Sequence, residues 1–257
     1  MSQRNGEGQG GARARLRAQQ RRDRARAKRR RVLLVAVAAV AVLGAAAGIG
    51  VLVSHRGRGG GTGPVVAPAG ATGPDKLVIP VGRAGAPATL SVYEDFRCPA
   101  CKQFEDTFRG TIHDLTGKGT MKAEYRLVTI IDGNLGGSGS LNAANAAACA
   151  QDLGGFPAYH DVLYTHQPIE TDDAYADKDT LIKLAGTVGG LDTPAFRRCV
   201  REGVHNGWVR KSTKDFSNSG FNATPTVLLN GKNVYADTKH PLTPQRLRSL
   251  VEQAAKG

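Results

Sequence analysis

The hydrophobic pattern separates an unbroken apolar stretch from a longer region in which apolar and polar positions are mixed. Residues 32–53 have the sequence VLLVAVAAVAVLGAAAGIGVLV and contain no charged side chain. As a helix this stretch would rise about 33 Å, enough for a hydrocarbon core of about 30 Å. It also lacks the polar stripe of a helix packed on a soluble core. The pattern therefore predicts one transmembrane helix over 32–53, with a cleaved signal peptide ending at the small residues 45–47 as the alternative.

A segment of mostly small residues separates the apolar stretch from the region of mixed pattern. Residues 54–75 are mostly Gly, Pro, Ala and Thr and carry little hydrophobic mass. Such a composition is typical of a flexible tether. The remaining residues, 76–257, are numerous enough to bury a core of their own. The sequence therefore predicts one folded domain over 76–257, joined to the apolar stretch by a linker.

The folded region begins with the pattern of a buried strand followed by a helix. Residues 88–96, ATLSVYEDF, are apolar and rich in residues that favour strands. In the run that follows, Pro99 suits the first position of a helix, and Phe104 and Phe108 are spaced to share one face. Gly110 is the predicted end of this helix. A strand-to-helix junction is therefore expected just before Pro99.

Toward the C terminus the pattern predicts a helical region, then a hairpin, then a closing helix. Residues 226–229 form a short apolar run, and Asn230-Gly231 after them is a preferred two-residue hairpin turn. Thr243 suits the N-cap of the final helix. Between the two halves, over about 138–218, the pattern favours helices at 140–153, 180–188 and 194–201.

Charge is concentrated at the N terminus. The formal net charge is +13, and residues 1–31 hold 12 of the 35 Lys and Arg against two of the 22 acidic residues. Because basic residues mark the cytoplasmic side of membrane helices, 1–31 is predicted to be a cytoplasmic tail and 76–257 an extracytoplasmic domain. The arginines have no aromatic residues between them, so attraction to anionic lipids is expected rather than nucleic-acid binding. The predicted location is the cell membrane, crossed once.

Two of the four cysteines lie at the predicted strand-to-helix junction, in the motif Cys98-Pro99-Ala100-Cys101. The helix dipole and the free N–H groups of the first turn stabilise a thiolate at Cys98 and lower its pKa. The spacing brings Cys101 within reach, so that it can resolve a mixed disulfide formed at Cys98. Cys98 is therefore the predicted nucleophile and Cys101 the resolving thiol, with Pro99 and Ala100 completing the active-site motif.

A zinc site and a purely structural disulfide are two other roles for this pair. Zinc would need a second close pair of ligands, but Cys149 and Cys199 are far apart in sequence and no histidine has suitable spacing. A disulfide across so short a loop stabilises a fold little. No metal site is therefore predicted. Because disulfides persist in exported domains, Cys149 and Cys199 are expected to form a structural one.

Three features together resemble the thioredoxin fold. They are the CPxC motif after a strand, Thr224-Pro225 just before a hairpin, and the closing helix. The long helical region makes the chain similar to the DsbA-like thiol-disulfide oxidoreductases, particularly their membrane-anchored actinobacterial type. The resemblance implies an α/β thioredoxin-like fold with a helical insertion over about 138–218, preceded by one N-terminal transmembrane helix.

The resemblance also implies roles for individual residues. Pro225 is expected in the cis form against the redox motif, leaving the backbone of Thr224 free to pair with an extended substrate. An ordinary trans proline at the start of a strand is the alternative. Similar proteins have a buried acid on the strand before the motif, where this chain has Val92. Glu94 and Asp95 are then the candidates for a proton relay to the resolving thiol, directly or through water, unless they are exposed acids at the strand end.

The predicted function is that of a membrane-tethered thiol-disulfide oxidoreductase that oxidises thiols of exported or unfolded proteins. The sequence contains neither a flavin, a nicotinamide nor a metal motif, so the disulfide of Cys98 and Cys101 is expected to be the only redox cofactor. The resemblance implies a membrane redox partner of the DsbB or vitamin K epoxide reductase (VKOR) type. An extracytoplasmic reductase or isomerase and a non-catalytic peptide-binding module are the alternatives.

Overall fold

A mixed five-stranded sheet lies at the centre of the computed structural model, which describes residues 64–255. The strands are β1 (Ile79–Val81), β2 (Ala88–Glu94), β3 (Met121–Leu127), β4 (Thr226–Leu229) and β5 (Lys232–Asn233). They lie in the order β1-β3-β2-β4-β5. The central strand β2 runs parallel to β3 and antiparallel to β4, and both edge strands are antiparallel to their neighbours.

Local sequence explains the central strand and the hairpin. Leu90 and Val92, which share one face of β2, have no exposed surface, as expected of a strand face that packs on the core. The β4–β5 hairpin turns at Asn230 and Gly231, whose φ angles are 47° and 79°. Two successive positive φ angles are what a tight two-residue hairpin requires, and Asn-Gly tolerates them best.

The helix after the redox motif, α1 (Pro99–Gly117), continues past its predicted end at Gly110. Its apolar face goes on through Ile112 and Leu115, which are 1% and 5% exposed. Burying such a side chain contributes about 1.5–3 kcal/mol, whereas a glycine inside a helix costs only about 1 kcal/mol. The helix therefore passes through Gly110 instead of stopping there.

Six helices between β3 and β4 form the insertion. They are α2 (Ile130–Leu135), α3 (Gly139–Asp152), α4 (Phe156–Thr165), α5 (Lys178–Ala185), α6 (Pro194–Glu202) and α7 (Asn206–Asn218). The insertion thus begins at α2, slightly before the predicted residue 138. The buried alanines of α3 allow α4, α6 and α7 to pack around it. A disulfide between Cys149 of α3 and Cys199 of α6, with a Cα–Cα distance of 5.9 Å, joins two of these helices. The closing helix, α8 (Pro244–Ala254), packs against α1.

Residues 64–75, predicted as part of a flexible linker, are docked onto the helical insertion. The carbonyl oxygen of Val66 lies 2.8 Å from His205 Nδ1, which donates to it. Asp152 Oδ1 accepts a hydrogen bond from the N–H of Ala69 at 2.7 Å. We call residues 64–75 the N-terminal strap. The packed part of the chain therefore includes residues that precede the predicted boundary at 76.

The predicted cytoplasmic tail 1–31, the predicted transmembrane helix 32–53 and linker residues 54–63 lie outside the described residues. Between residues 64 and 255, no helix combines the length and the apolar character that crossing a bilayer requires. The tail and the transmembrane helix therefore stay predictions.

Candidate active site

Cys98 is the N-cap residue of α1, at the point where the chain leaves β2 and enters the helix. A hydrogen bond from Cys98 N to Asp95 O, 3.0 Å long, closes the connecting turn. Pro99 occupies the first helical position, where its missing N–H removes no intrahelical bond. Cys98 is 6% exposed, whereas Cys101, one turn later, has no exposed surface. Both are free thiols, and both are buried, Cys101 completely and Cys98 slightly less so.

The pKa values of the two cysteines are shifted in opposite directions. A hydrogen bond from the Cys101 thiol lowers the pKa of Cys98 to about 6, and the backbone N–H groups of Cys101 and Ala100 act in the same direction, against the effect of burial. Burial raises the pKa of Cys101 well above its ordinary value, and negative charge on Cys98 raises it further. At neutral pH Cys98 is therefore the thiolate and Cys101 the thiol that stabilises it. Cys98 is thus equipped for nucleophilic attack.

The loop before β4 lies against the redox motif. Its Thr224–Pro225 peptide bond is cis. The carbonyl oxygen of Thr224 lies 3.3 Å from Cys98 Sγ and accepts a hydrogen bond from it when Cys98 is protonated. The loop is held there because β4 pairs with β2, beginning at Thr226 opposite Tyr93. Thr224 and Pro225 are both half-buried beside the Cys98 sulfur, where an extended peptide can reach them.

Asp95 shapes the turn before the motif. Glu94 and Asp95 are each only 1% exposed, so neither is an exposed acid at the strand end. Asp95 Oδ1 accepts a hydrogen bond from Arg97 N at 2.8 Å, and Oδ2 accepts one from Ile131 N at 2.9 Å. Burial raises the pKa of Asp95 to about 6, although these two hydrogen bonds oppose the shift. Both carboxylate oxygens of Asp95 are therefore engaged with the backbone.

Glu94 belongs to a buried charged cluster with Glu105 of α1 and His160 of α4. His160 Nε2 lies 2.8 Å from Glu94 Oε1. Glu94 Oε2 and Glu105 Oε1 are buried and have no hydrogen-bond partner in the described part of the chain. Burial raises the pKa of Glu105. Burial favours the neutral form of His160, but the negative charges of Glu94 and Glu105 prevail and raise its pKa. The cluster therefore retains protons at neutral pH, and the charge of Glu94 acts on Cys101.

Val92 and Glu94 lie on one face of β2. Side chains two positions apart on a strand point to the same side, and both residues are buried. Glu94 is thus a buried acid on the face that Val92 shares.

Two groups of side chains have the residue types of a metal site. Potential ligand atoms of Glu94, Glu105 and His160 lie within 4.8 Å of one another, as do those of Cys149, Cys199 and His205. An ion in the first group would have to displace the Glu94–His160 ion pair, and the sulfurs of the second group are joined in a disulfide. Neither group is therefore free to bind an ion without rearrangement.

Arg97, the residue before the motif, has a structural role that the sequence did not indicate. Its side chain is 2% exposed and forms ion pairs with Asp132 at 2.7 Å and Asp173 at 2.9 Å. It also donates hydrogen bonds to the carbonyl oxygens of Gly136 and Glu170. These partners belong to α2 with the residue that follows it and to the segment between α4 and α5, which only the folded structure brings together. Arg97 therefore fixes both segments beside Cys98.

Glu105 and His160 were also missed as members of the site. Glu105 follows Cys101 by four positions and so shares its helix face, and an acid on a buried face is a signal that the sequence contains. His160 lies more than 50 positions further along the chain. Its contact with Glu94 depends on how α4 packs, for which the sequence offers no local signal.

A cysteine pair at a helix N terminus, facing a cis-proline loop on a mixed sheet, defines the class of thiol-disulfide oxidoreductases. Comparison with known proteins gives the same class. The model of a family described as Thioredoxin matches residues 75–253. The chain belongs to this thioredoxin family and, within it, to the DsbA-like oxidoreductases.

Similar proteins come from bacteria. Disulfide bond formation protein D of Bacillus subtilis is 25% identical over 180 residues, which cover 69% of this chain and 77% of that protein. Oxidised DsbA of Mycobacterium tuberculosis superimposes with a TM-score of 0.60 at 28% identity, over 70% of this chain and 93% of that one. Reduced DsbG of the same organism gives 0.58 at 27% identity, over 70% and 88%. These comparisons confirm the predicted thioredoxin-like fold with a helical insertion and the predicted enzyme class.

Proposed function

We propose that the protein is a membrane-tethered oxidase of thiols in exported proteins, with Cys98 and Cys101 as its redox pair. The observation that carries the proposal is the low pKa of Cys98, about 6, at the N-cap of α1. Stabilising this thiolate stabilises the reduced form, which makes a dithiol protein a stronger oxidant. The apolar stretch 32–53 and the basic tail 1–31 support a single membrane anchor with the folded domain outside the cytoplasm.

The oxidising reaction starts from the Cys98–Cys101 disulfide. A substrate thiolate attacks Cys98 Sγ, the bond between the two cysteines breaks, and its electron pair goes to Cys101. A mixed disulfide now joins the substrate to Cys98. A second substrate thiolate attacks the substrate sulfur of this bond, and Cys98 leaves as a thiolate. The substrate has lost two electrons and gained a disulfide, and the redox pair has gained the two electrons.

Thr224 and Pro225 are proposed to hold the substrate during these steps. Both are half-buried, and the backbone of Thr224 already lies within hydrogen-bonding distance of Cys98. An extended peptide that pairs with this backbone would bring its own cysteine beside Cys98. Because backbone pairing ignores side-chain identity, such a site suits many exported proteins in their unfolded form.

Cys101 needs a proton once it has left Cys98, because its burial disfavours a charge. We assign the proton relay to Glu94, whose charge acts on Cys101 and whose cluster with Glu105 and His160 retains protons at neutral pH. Asp95 is the second candidate. Its two oxygens already accept backbone hydrogen bonds, so Glu94 is the better placed of the two acids.

The cycle requires a separate oxidant, because the redox pair ends in the dithiol form. We propose a membrane redox partner of the DsbB or VKOR type, which a membrane-tethered domain would meet at the bilayer surface. The name of the Bacillus subtilis relative, disulfide bond formation protein D, supports the oxidising direction. No cofactor other than the cysteine pair is part of the proposal.

Trapping of mixed disulfides tests the catalytic role in the full-length chain. Cys98→Ser should abolish oxidation of a dithiol peptide. Cys101→Ser should accumulate exported proteins linked to Cys98, visible on non-reducing gels and identified by mass spectrometry. A Cys101→Ser variant that collects no linked proteins contradicts the proposal. Full function of Cys98→Ser in cells would instead favour a non-catalytic peptide-binding module.

The equilibrium with glutathione tests whether the protein oxidises or reduces its substrates. A reduction potential in the glutaredoxin range, about −200 to −230 mV, or higher supports an oxidase. A potential near that of thioredoxin, about −270 mV, would favour the reductase or isomerase alternative.

A further inference from the structure

Gln167, in the segment that follows α4, contacts the redox motif directly. Its side-chain Nε2 donates hydrogen bonds to the carbonyl oxygens of Phe96, at 2.9 Å, and of Cys98, at 3.1 Å. Phe96 belongs to the turn before α1, and Cys98 is the N-cap of that helix. Gln167 therefore lies beside the nucleophile, although 69 positions separate the two residues in the chain.

Contacts on both sides of Gln167 fix the segment that carries it. Before it, the carbonyl oxygen of Tyr164 accepts a hydrogen bond from Lys102 Nζ at 2.7 Å. After it, the carbonyl oxygen of Glu170 accepts one from Arg97 Nη2 at 3.2 Å. The segment is thus attached both to α1 and to the residue before the motif, so the side chain of Gln167 has a defined position.

The orientation of the Gln167 amide follows from its two partners. Both are carbonyl oxygens, which only accept hydrogen bonds, so the NH2 group must face them and the amide oxygen, Oε1, cannot. No group in residues 64–255 donates a hydrogen bond to Oε1. This oxygen is also not one of the buried side-chain atoms that lack a partner, so it reaches the surface. Oε1 is therefore a free acceptor beside Cys98.

A second acceptor beside Cys98 suits the binding of an extended peptide. Thr224, whose carbonyl oxygen lies 3.3 Å from Cys98 Sγ, can pair with only every second residue of such a peptide. The N–H groups of the residues in between point away from Thr224. Covering one of these N–H groups without giving it an acceptor would be unfavourable. A site that binds the peptide on more than one side therefore needs an acceptor such as Oε1.

We propose that Gln167 Oε1 accepts a hydrogen bond from a backbone N–H of the substrate, close to the cysteine that reacts with Cys98. The inference rests on the proposed function, in which Thr224 pairs with the same peptide. The substrate backbone is then bound at two points, one on the cis-proline loop and one on the helical insertion. Because both contacts are to the backbone, the ligand is an extended, unfolded segment of any sequence. A folded substrate, whose N–H groups are already paired, binds less well.

The test combines protein variants with modified substrates, using the oxidised full-length protein. In a short dithiol peptide, each backbone amide in turn is replaced by an ester, which removes the N–H without adding bulk. Stopped-flow mixing gives the rate at which each peptide is oxidised. Gln167→Met keeps the length of the side chain and removes its hydrogen bonds. Gln103→Met, at an exposed glutamine of α1, is the matched control.

We expect one ester position at which the effect depends on Gln167. There, the ester should slow oxidation by wild type and by Gln103→Met roughly tenfold, and by Gln167→Met less than about twofold. Dithiothreitol has no amide group, so its reaction reports any displacement of Cys98 caused by loss of the Nε2 bonds. Relative to that reaction, Gln167→Met should oxidise the all-amide peptide roughly tenfold more slowly than wild type does.

Three outcomes overturn the inference. If every ester slows wild type and Gln167→Met by the same factor, the substrate N–H groups pair elsewhere. If Gln167→Met slows the dithiothreitol and all-amide peptide reactions equally, Gln167 acts only by positioning Cys98. If wild type leaves the all-amide peptide reduced, the proposed function itself is contradicted, and this inference with it. The first two outcomes leave the proposed function intact, so the two failures are distinguished.

Discussion

At the scale of single residues, the site depends on one sulfur being ionised while its neighbour is protonated. Cys98 and Cys101 are three positions apart, yet the first receives hydrogen bonds at the open end of α1 and the second faces the core. The helix places the two cysteines differently, because one turn separates its N terminus from the face that packs on the core. The same turn makes Cys101 the donor on which the acidity of Cys98 most depends.

Replacing Cys101 should therefore change the reactivity of Cys98. Alkylation of wild-type Cys98 by iodoacetamide should rise with pH around a midpoint near 6, since only the thiolate reacts. Cys101→Ala removes the thiol donor and should move the midpoint upward by about 1–2 pH units. Cys101→Ser keeps an O–H donor and should move it less. Identical midpoints in wild type and Cys101→Ala would mean that the backbone N–H groups alone set the acidity.

The buried cluster gives a prediction about stability. His160→Gln leaves Glu94 and Glu105 buried without their cation, which should lower the free energy of unfolding by about 3–5 kcal/mol. The double variant His160→Gln/Glu105→Gln removes one of these carboxylates and should recover part of the loss. Urea unfolding of the oxidised proteins measures both, and a double variant no more stable than the single one contradicts this account.

The same cluster predicts how stability depends on pH. Both His160 and Glu105 have raised pKa values, so each binds its proton more tightly in the folded than in the unfolded protein. For His160 this stabilisation is complete below its ordinary pKa of 6.5 and is lost as pH rises through the raised value. For Glu105 the loss begins at its ordinary pKa of 4.5 and is complete near its raised value of about 8. Oxidised wild type should therefore lose stability as pH rises from about 5 to about 10. The double variant should show a much flatter profile, and the oxidised form is used because Cys98 does not titrate in it.

At the scale of elements, local sequence signals predicted where helices and turns begin better than where helices end. The N-cap at Thr243 is present, with its hydroxyl accepting from Arg246 N at 3.1 Å, and so is the turn at Asn230-Gly231. The predicted end of α1 at Gly110 was wrong, because a glycine destabilises a helix less than the burial of the next turn stabilises it. α2 was missed because its six residues carry too short a pattern to show a period.

Two glycine substitutions should have opposite effects on helix stability. Gly110 lies inside α1, and nothing lies within 4 Å of the place that an alanine methyl group would occupy, so Gly110→Ala should stabilise the protein by about 0.5–1 kcal/mol. At Gly139, the first residue of α3, a methyl group would collide with the Asp173 carboxylate and the Arg97 side chain. Gly139→Ala should destabilise by more than Gly110→Ala stabilises. Thermal unfolding of the two variants checks the pair, and equal shifts of the same sign would contradict it.

At the scale of the whole molecule, the sequence predicted the candidate redox residues but not the contacts that surround them. Two short motifs, each of which defines its own local geometry, contain the predicted site residues Cys98, Cys101, Thr224 and Pro225. The Arg97 ion pairs, the Glu94–His160 pair and the docked strap join positions far apart in the chain. The strap was predicted as a linker because its Gly and Pro content is a local property, whereas its docking depends on the distant Asp152 and His205.

Removing the anchor of the strap should loosen it without changing the redox site. His205 is 1% exposed and lies between Val66 O and Asp152 Oδ2, 2.8 Å from each. His205→Ala should therefore increase amide hydrogen exchange at Ala69 by roughly tenfold, as expected for the loss of about one hydrogen bond. The alkylation midpoint of Cys98 should stay near 6. His240→Ala, at an exposed histidine, is the control, and unchanged exchange in His205→Ala would contradict the anchoring role.

The helix α3 extends from the region beside Cys98 to the strap. Its first residues contact Asp173, a partner of Arg97 beside the motif, while its last residue, Asp152, holds the strap. The 14 residues of this helix correspond to a length of about 20 Å. The contact of the strap with Asp152 is therefore separated by the length of this helix from the Asp173–Arg97 ion pair beside the cysteine motif.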